Sequence, residues 1–449
     1  MIHSYKIGGF NIILDIASGS IHSAPDVAFD IIGMEQTQAR EDIIKLIKQK
    51  YDSLNEQEII EIFSDIDELV SRGVLFSPDI YQSFCDNRNN VSLKALCLNV
   101  SHMCNMTCTY CFAGDGEYNA QGLMSFETGK RAIDFLVENS GNHKRLDIDF
   151  FGGEPLLNWD VVKDIVNYTR KNEATWNKFF RFTLTTNGLL IDDDVISFTE
   201  QHMYNVVLSL DGRREVNDNM RCLLGGGGSY DKVLPKFKKL VEARGGKDYY
   251  IRGTFTRKNL DFSNDILHLA DLGFSELSME PVVADPDLDY ALKISDLPKI
   301  FEQYELLANE MLKREKQGRG FRFYHFMLEL LRGPCVHKRL AGCGVGCEYL
   351  AVTPQGELFA CHQFIGNNEF LMGDIFNGID NLKLREKFIR RNIYSMPECN
   401  SCWAKMYCSG GCAANAYNDS GSVLGVHKLG CEMFKKRIEC AVMMKVAQS

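Results

Sequence analysis

The chain has 449 residues, 45% of them hydrophobic and 24% charged, so it can bury a sizeable core and is neither fibrous nor largely disordered. Its formal net charge of -10 gives no general attraction to nucleic acid or anionic lipid, and its apolar runs are too short to span a membrane. Because residues 1–15 lack the basic and apolar segments of a signal peptide, the sixteen cysteines are expected to bind metal in a cytoplasmic protein rather than to form secreted disulfides.

The first 90 residues are predicted to form a small unit of their own. Strands are predicted over residues 2–7, 10–16 and 28–32. Gly8 and Gly9 supply a turn between the first two strands, and two helices should follow the third. Asn55 and Glu58 resemble a capping box at the start of the second helix, although Asn is not the usual first residue of this motif. That helix carries an apolar stripe that is expected to be core: Ile59, Ile62, Phe63, Ile66, Leu69 and Val70. A polar break at residues 86–90 ends the unit.

Apolar strands then alternate with amphipathic helices, which is typical of a parallel α/β sheet. The predicted strands are residues 95–100, 146–151, 181–185, 205–210, 250–256 and 276–280. The predicted helices include residues 125–139, 159–171 and 230–244, with a long helical region at 295–316. Six such units predict an open, partial (β/α)6 barrel, and its chemistry is expected at the carboxyl ends of the strands.

Three cysteines follow the first of these strands at the spacing Cys104-x3-Cys108-x2-Cys111. Three thiolates on one loop leave one iron of a four-iron cluster open, and an open iron can bind and activate a substrate or cofactor. A structural zinc site is the alternative interpretation. It normally takes four ligands, and only His102 lies nearby as a fourth.

Polar motifs occupy the predicted ends of the next three strands. Gly152-Gly153-Glu154 follows the second strand, where two small residues allow close backbone approach and a carboxylate can accept hydrogen bonds from an ammonium group. Residues 185–188 and 209–212 place further polar groups at the ends of the third and fourth strands. The side chains at these ends should therefore lie near the three cysteines.

In this order and position, the motifs over residues 93–283 resemble the radical S-adenosylmethionine (SAM) superfamily, whose members bind SAM at the open iron of such a cluster. The resemblance implies a radical SAM partial barrel with a helical bridge over residues 91–333. It implies a [4Fe-4S] cluster bound by Cys104, Cys108 and Cys111. It also implies SAM contacts from Gly152, Gly153, Glu154, Ser209, Asp211 and Arg221.

Cysteine is concentrated in the predicted third unit, residues 334–449, in the pattern Cys399-x2-Cys402-x5-Cys408-x3-Cys412 followed by Cys431. This pattern resembles the SPASM domain, a C-terminal extension of radical SAM enzymes that act on peptides and that usually holds two auxiliary [4Fe-4S] clusters. The resemblance implies a distal cluster at Cys399, Cys402, Cys408 and Cys431, and a proximal cluster at Cys361 and Cys412 completed from Cys343 and Cys347. Cys335 is a weaker candidate, and a two-site zinc ribbon is the alternative.

The N-terminal unit, residues 1–90, resembles the winged-helix-like domain that recognises leader peptides in enzymes that modify ribosomally made peptides. Such domains bind the leader as an added strand at a sheet edge, so that backbone hydrogen bonds supply affinity. An ordinary packing domain is the alternative interpretation.

Together the three units resemble a thioether-forming peptide maturase, similar to the SCIFF maturases and sactisynthases. The resemblance implies three [4Fe-4S] clusters, SAM, a cysteine-rich precursor peptide bound through its leader, and a flavodoxin or ferredoxin as one-electron donor. It implies that a 5'-deoxyadenosyl radical abstracts hydrogen from the peptide and that a cysteine sulfur then closes a C–S bond. Two alternatives stay open: a SPASM dehydrogenase that matures anaerobic sulfatases by forming formylglycine, and a zinc-stabilised peptide-binding scaffold.

Overall fold

The computed structural model describes residues 1–85, 91–114, 116–118, 120–328 and 336–449. The predicted polar break at residues 86–90, the predicted boundary at 333–334 and the weaker candidate Cys335 lie outside the described residues. The strands are β1 (Ile2–Ile7), β2 (Phe10–Asp15), β3 (Ile21–Ser23), β4 (Ala95–Ser101), β5 (Met106–Cys108), β6 (Arg145–Gly152), β7 (Phe179–Thr186), β8 (Asn205–Ser209), β9 (Arg221–Leu223), β10 (Tyr249–Phe255), β11 (Glu276–Pro281), β12 (Arg322–Phe323), β13 (Tyr349–Val352), β14 (Glu357–Phe359), β15 (Leu371–Asp374) and β16 (Gly378–Ile379). The helices are α1 (Asp26–Glu35), α2 (Arg40–Lys50), α3 (Glu56–Ser71), α4 (Phe126–Asn139), α5 (Trp159–Trp176), α6 (Asp193–His202), α7 (Arg214–Met220), α8 (Tyr230–Ala243), α9 (Phe262–Asp271), α10 (Leu297–Lys316), α11 (Val336–Ala341), α12 (Leu382–Arg390), α13 (Pro397–Asn400), α14 (Lys405–Cys408), α15 (Ala413–Ser420) and α16 (Lys428–Gln448).

The N-terminal unit is an antiparallel sheet in the order β1-β2-β3, followed by α1, α2 and α3. The predicted third strand is wrong, because residues 28–32 lie within α1 and the third strand is the short β3. Short apolar runs suit either a strand or a buried helix, and here Ile31 and Ile32 pack into a small core as part of a helix that follows Pro25. Three helices follow the sheet rather than the two predicted.

The predicted capping box begins α3 as expected. The Asn55 side chain accepts from the Glu58 backbone N–H at 3.0 Å, and the Glu58 carboxylate accepts from the Asn55 N–H at 2.8 Å. The predicted stripe is buried at Ile59, Phe63 and Ile66, whereas Val70 is 40% exposed at the end of the helix.

Six parallel strands form the central barrel sheet, and they neighbour one another in chain order: β4-β6-β7-β8-β10-β11. All six predicted strands are present with ends within two residues of those predicted, and the predicted helices correspond to α4, α5, α8 and α10. The two-residue strand β12 adds to the far side of β11. The prediction of an open, partial (β/α)6 barrel is therefore confirmed.

The cysteine-rich C-terminal region continues the same sheet. β13 pairs parallel with β4, and β14, β15 and β16 then follow in antiparallel order. The short helices α13, α14 and α15 and the long α16 complete this region. The loop that carries Cys104, Cys108 and Cys111 follows β4, so this first barrel strand lies between the rest of the barrel and the cysteine-rich region.

The central strand of the N-terminal sheet, β2, is buried on both faces. Ile12 and Leu14 belong to the large core that fills the barrel and the C-terminal region, whereas Ile13 belongs to the small core under α1, α2 and α3. Gly8 lies against the side chain of Met443 on α16. The unit therefore has a core of its own but rests on the rest of the chain. Among the described residues, every helix is too short or too polar to cross a bilayer.

Candidate active site and cysteine groups

The loop after β4 carries Cys104, Cys108 and Cys111. It is held in place by β5, which pairs antiparallel with β9 so that Cys108 lies opposite Arg221. Burial, followed by the charges of Glu154, Cys108 and Cys111, raises the pKa of the Cys104 thiol to about 12. The three predicted ligands therefore lie close enough to influence one another, in a pocket where a bound metal would be needed to hold them as thiolates.

Gly152 and Gly153 bring the end of β6 directly against this loop. A Cβ atom at Gly153 would lie 2.2 Å from the Met103 carbonyl oxygen, and one at Gly152, whose φ is +132°, would lie 2.2 Å from the Ser101 carbonyl oxygen. The Gly153 N–H donates to Ser101 O at 2.7 Å, and the Glu154 N–H donates to Met103 O at 2.8 Å. Only glycine fits this close backbone approach.

Glu154 is buried behind the two glycines and joins the ends of two strands. Its carboxylate accepts from the Thr186 hydroxyl at 2.7 Å, from the Asn187 N–H at 2.8 Å and from the Leu156 N–H at 3.0 Å. Burial raises the pKa of this carboxyl to about 7, against the lowering effect of these hydrogen bonds. The Asn187 amide also donates to Asn105 Oδ1 at 2.8 Å, which ties β7 to the cysteine loop.

Asp211 and Arg221 lie on the other side of the same loop, and Tyr110 joins them. The Tyr110 hydroxyl donates to Asp211 Oδ2 at 2.6 Å and accepts from Arg221 Nη1 at 2.8 Å. Asp211 is fully buried and also accepts from the Thr254 N–H at 3.0 Å. Ser209 is partly buried at the end of β8. Sequence reasoning missed Tyr110: its place between two cysteines was visible, but its contact with a residue 101 positions away was not.

The four cysteines of the predicted distal group converge in the C-terminal region. Burial, followed by the charges of Cys431, Cys399 and Cys402, raises the pKa of the Cys408 thiol to about 12. Cys431 comes from the first turn of α16, whereas the others lie on or beside α13 and α14. The fold therefore brings together the four residues that the resemblance to the SPASM domain assigns to one site.

Three cysteines of the predicted proximal group also converge. Burial raises the pKa of the Cys361 thiol, and the nearby charges of Cys412 and Cys343 raise it further. Cys347 is buried, and its thiol donates to the Gly344 carbonyl oxygen at 3.4 Å. Gln363 Nε2 donates to Cys412 Sγ at 3.7 Å.

Each of the three cysteine groups offers thiols only, and this donor set suits an iron–sulfur cluster or zinc. In the described part of the chain, no three His, Cys, Asp or Glu side chains are placed so that one metal ion would be held between them.

The barrel interior lies between the cysteine loop and the proximal group. Its lower part is a cavity of about 790 Å³ that reaches from the starts of the barrel strands to Cys343 and Tyr349. Above it the His362 ring lies 5.7 Å from Phe112 and 5.0 Å from Phe151, and its Nδ1 is 2.9 Å from the Tyr349 hydroxyl. Sequence reasoning missed this aromatic group, because no local pattern marks side chains that point into a barrel.

Residues 98–253 match the sequence model of the Radical SAM superfamily, so the chain contains a radical SAM domain. Its relatives include the radical SAM cyclopropyl synthase TigE of Paramaledivibacter caminithermalis, which is 24% identical over 76% of this chain and 72% of that protein. They also include a cysteine-type anaerobic sulfatase-maturating enzyme of Clostridium novyi, which is 25% identical over 78% of this chain and 95% of that protein. Among solved structures, Streptococcus suis SuiB bound to precursor peptide SuiA has the same fold, with a TM-score of 0.54 and 16% identity over 95% of this chain and 97% of that one. The resemblance to radical SAM maturases predicted from the motifs is confirmed.

Proposed function

We propose that this protein is a radical SAM peptide maturase that installs cysteine thioether crosslinks in a ribosomally synthesised precursor peptide. The observation that carries the proposal is the N-terminal unit of β1–β3 and α1–α3, joined to a radical SAM barrel and a cysteine-rich domain. The similarity to SuiB in complex with its precursor peptide extends over 95% of the chain, whereas the similarity to the sulfatase-maturating enzyme extends over 78%. The part of the chain that the first similarity covers beyond the second is about the size of the N-terminal unit.

The precursor's leader is the proposed ligand of that unit. Its central strand β2 is covered on both faces, which favours addition of an incoming peptide at an edge, by backbone hydrogen bonds. The described sheet has β1 and β3 as its edges. The N-terminal domain is therefore proposed at residues 1–90, the radical SAM barrel with its helical bridge at 91–333 and the SPASM domain at 334–449.

The proposed cofactors are SAM and three [4Fe-4S] clusters: one at Cys104, Cys108 and Cys111, a distal one at Cys399, Cys402, Cys408 and Cys431, and a proximal one at Cys361 and Cys412 with Cys343 and Cys347. When bound, the first cluster and SAM supply a 5'-deoxyadenosyl radical by one-electron reductive cleavage, with a flavodoxin or ferredoxin as the proposed donor. The chain's own contribution is positioning. Gly152 and Gly153 hold the cysteine loop. Glu154, Ser209, Asp211 and Arg221 would present polar groups to SAM.

The overall reaction would balance with SAM as the two-electron oxidant, consumed once per crosslink to methionine and 5'-deoxyadenosine, so that no further oxidant is needed. One electron enters at SAM cleavage, the radical removes one hydrogen atom from a peptide carbon, and the peptide cysteine loses its proton. Closure of the C–S bond by the thiolate then releases one electron, which the auxiliary clusters would accept. The product therefore has two hydrogen atoms fewer than the precursor for each crosslink.

Iron analysis and mass spectrometry test the proposal. Anaerobically reconstituted protein should bind about twelve irons, and replacing Cys104, Cys108 and Cys111 together by Ala should remove about four and abolish SAM cleavage. The precursor should lose two hydrogen atoms per crosslink. Stoichiometric zinc in place of iron would overturn the proposal in favour of a binding scaffold. Formylglycine formation in a sulfatase-derived peptide, with no crosslink in any leader-bearing precursor, would favour the sulfatase-maturating alternative.

A further inference from the structure

Arg391 is a buried positive charge without an acidic partner. Its side chain follows α12, and the residue is only 3% exposed. Among the described residues no carboxylate forms an ion pair with it; instead, Nε donates to Val423 O at 2.8 Å, and Nη2 donates to Gly410 O at 2.6 Å and to Gly411 O at 3.2 Å. Backbone carbonyls satisfy hydrogen bonds but carry no net charge. A buried guanidinium of this kind therefore calls for an anion nearby.

Other buried arginines of the chain do have such anions. Arg314 pairs with Asp271 at 2.7 Å, and Arg221 lies 3.9 Å from the Asp211 carboxylate. The groups that favour the charge of Arg391 electrostatically are instead four cysteines, in their thiolate form: Cys343, Cys399, Cys412 and Cys408. Two of these belong to the proposed proximal group and two to the proposed distal group.

Two hydrogen bonds of Arg391 hold the loop that joins the two groups of cysteines. Gly410 and Gly411 lie between Cys408, a proposed distal ligand, and Cys412, a proposed proximal ligand. Both glycines have positive φ, +84° and +65°, so the loop turns tightly. A Cβ atom at Gly410 would lie 3.6 Å from Arg391 Nη1, so the loop backbone rests directly on the guanidinium.

We infer that Arg391 is the shared counter-charge of the two auxiliary clusters and that it holds the loop joining their ligands. The inference rests on the cofactor set of the proposed function. A [4Fe-4S] cluster with thiolate ligands carries net negative charge, which would compensate the guanidinium; arginine remains protonated at any pH at which the protein is folded. A fixed positive charge beside a cluster stabilises its reduced form and raises its reduction potential.

Potentiometry on the reconstituted full chain tests the inference. Replacing Cys104, Cys108 and Cys111 by Ala leaves the auxiliary clusters as the only source of signal, and Arg391→Gln and Arg391→Lys are compared in this background. Gln keeps a donor for a carbonyl but removes the charge, whereas Lys keeps the charge and loses the planar fork. Arg244→Gln is the matched control, since Arg244 also donates to two carbonyls, those of Thr199 and Met203, and forms no ion pair in the described part of the chain.

The midpoint potentials, followed by electron paramagnetic resonance, should become more negative in Arg391→Gln, stay close to the background value in Arg391→Lys and remain unchanged in Arg244→Gln. Loss of auxiliary iron in Arg391→Gln alone would equally support the counter-charge. Unchanged potentials with about eight irons retained in Arg391→Gln would overturn it. Loss of iron in both Arg391 variants would also overturn it, by leaving the hydrogen bonds as the whole role. If the unsubstituted chain binds only about four irons, the proposed set of three clusters is wrong. That outcome overturns the proposed function's cofactors and is distinguishable from the outcomes that concern Arg391 alone.

Discussion

The imidazole ring of His3 lies stacked on the indole ring of Trp403, with ring centroids 3.6 Å apart and an interplanar angle of 7°. His3 Nε2 also lies 3.1 Å from Glu439 Oε1 on α16. Trp403 directly follows Cys402, a proposed ligand of the distal cluster. The first strand of the N-terminal unit therefore touches the part of the chain that is proposed to bind that cluster.

A double-mutant cycle should measure this contact. His3→Ala and Trp403→Ala are each expected to lower the free energy of unfolding, and the pair should show a coupling of about 0.5–1.5 kcal/mol, as stacked aromatic pairs do. Denaturant unfolding under anaerobic conditions provides the measurement. Additive effects of the two substitutions would mean that the stacked geometry contributes no energy of its own.

Gly153→Ala should remove the radical SAM cluster selectively. The new methyl group would collide with the Met103 carbonyl oxygen and displace the loop that carries Cys104. We expect about four fewer irons per chain and no SAM cleavage, with the auxiliary iron retained. Gly225→Ala is the control, because a Cβ there has no neighbour within 4 Å. Full iron content in Gly153→Ala would show that the loop tolerates the shift.

Tyr110→Phe should weaken SAM binding without loss of iron. The hydroxyl bridges Asp211 and Arg221, and its removal leaves a buried carboxylate with one donor fewer, a cost of about 1–3 kcal/mol. Because both partners are proposed SAM contacts, we expect the dissociation constant of SAM to rise about tenfold or more.

Equilibrium binding of SAM to the reconstituted enzyme measures this dissociation constant. Tyr168→Phe is the matched control, since that hydroxyl donates to Asp134 at 2.6 Å on the helical layer. Equal SAM affinity in Tyr110→Phe and the unsubstituted enzyme would remove this network from the proposed binding site.

Ser23→Pro should weaken binding of the precursor's leader. Ile13 pairs with His22 across β2 and β3, and the alternation of an antiparallel ladder then directs the Ser23 N–H away from β2, towards the free edge. Proline removes that donor, whereas Ser23→Ala keeps it and changes only an exposed side chain. Fluorescence anisotropy with a labelled leader should show weaker binding to the Pro variant alone. Unaltered affinity would direct attention to the β1 edge, where Ser4→Pro is the corresponding variant.

Asp149 should make stability fall as pH rises. Burial, followed by the charge of Asp147, raises the pKa of Asp149 from its usual 3.8 to about 6. Between these values the folded chain holds a proton that the unfolded chain releases, so the free energy of unfolding decreases through this window and stays lower above it.

Asp149→Asn removes the cost of ionising a buried carboxyl group. The free energy of unfolding of this variant should equal that of the unsubstituted chain near pH 3 and exceed it by up to about 3 kcal/mol above pH 7. Asp160→Asn, whose side chain is 93% exposed, is the control. An advantage independent of pH would show that Asp149 ionises normally in its cavity.

The barrel was predictable because its strands and helices carry local periodicity, and the cysteine groups were predictable because their motifs resemble those of a known family. The error at residues 28–32 arose because four apolar residues around Asp30 suit either structure, and the packing of Ile31 and Ile32 into the small core favours the helix. Tyr110 and Arg391 could not be identified from sequence for a related reason. Their roles depend on partners brought close only by the tertiary fold, and neither residue type is unusual at its place in the chain.

The pairing of β13 with β4 has a consequence for how the protein behaves at high concentration. An open barrel would expose two long strand edges, which invite self-association. Here the sheet continues past β4 to β16, and its other side ends at β12, so both outer strands are only two residues long, Gly378–Ile379 and Arg322–Phe323. The strand β12 covers Glu276 and Leu277 of β11, and Arg322 adds a charge to that edge. A chain truncated before β13 would expose the whole edge of β4 and should aggregate.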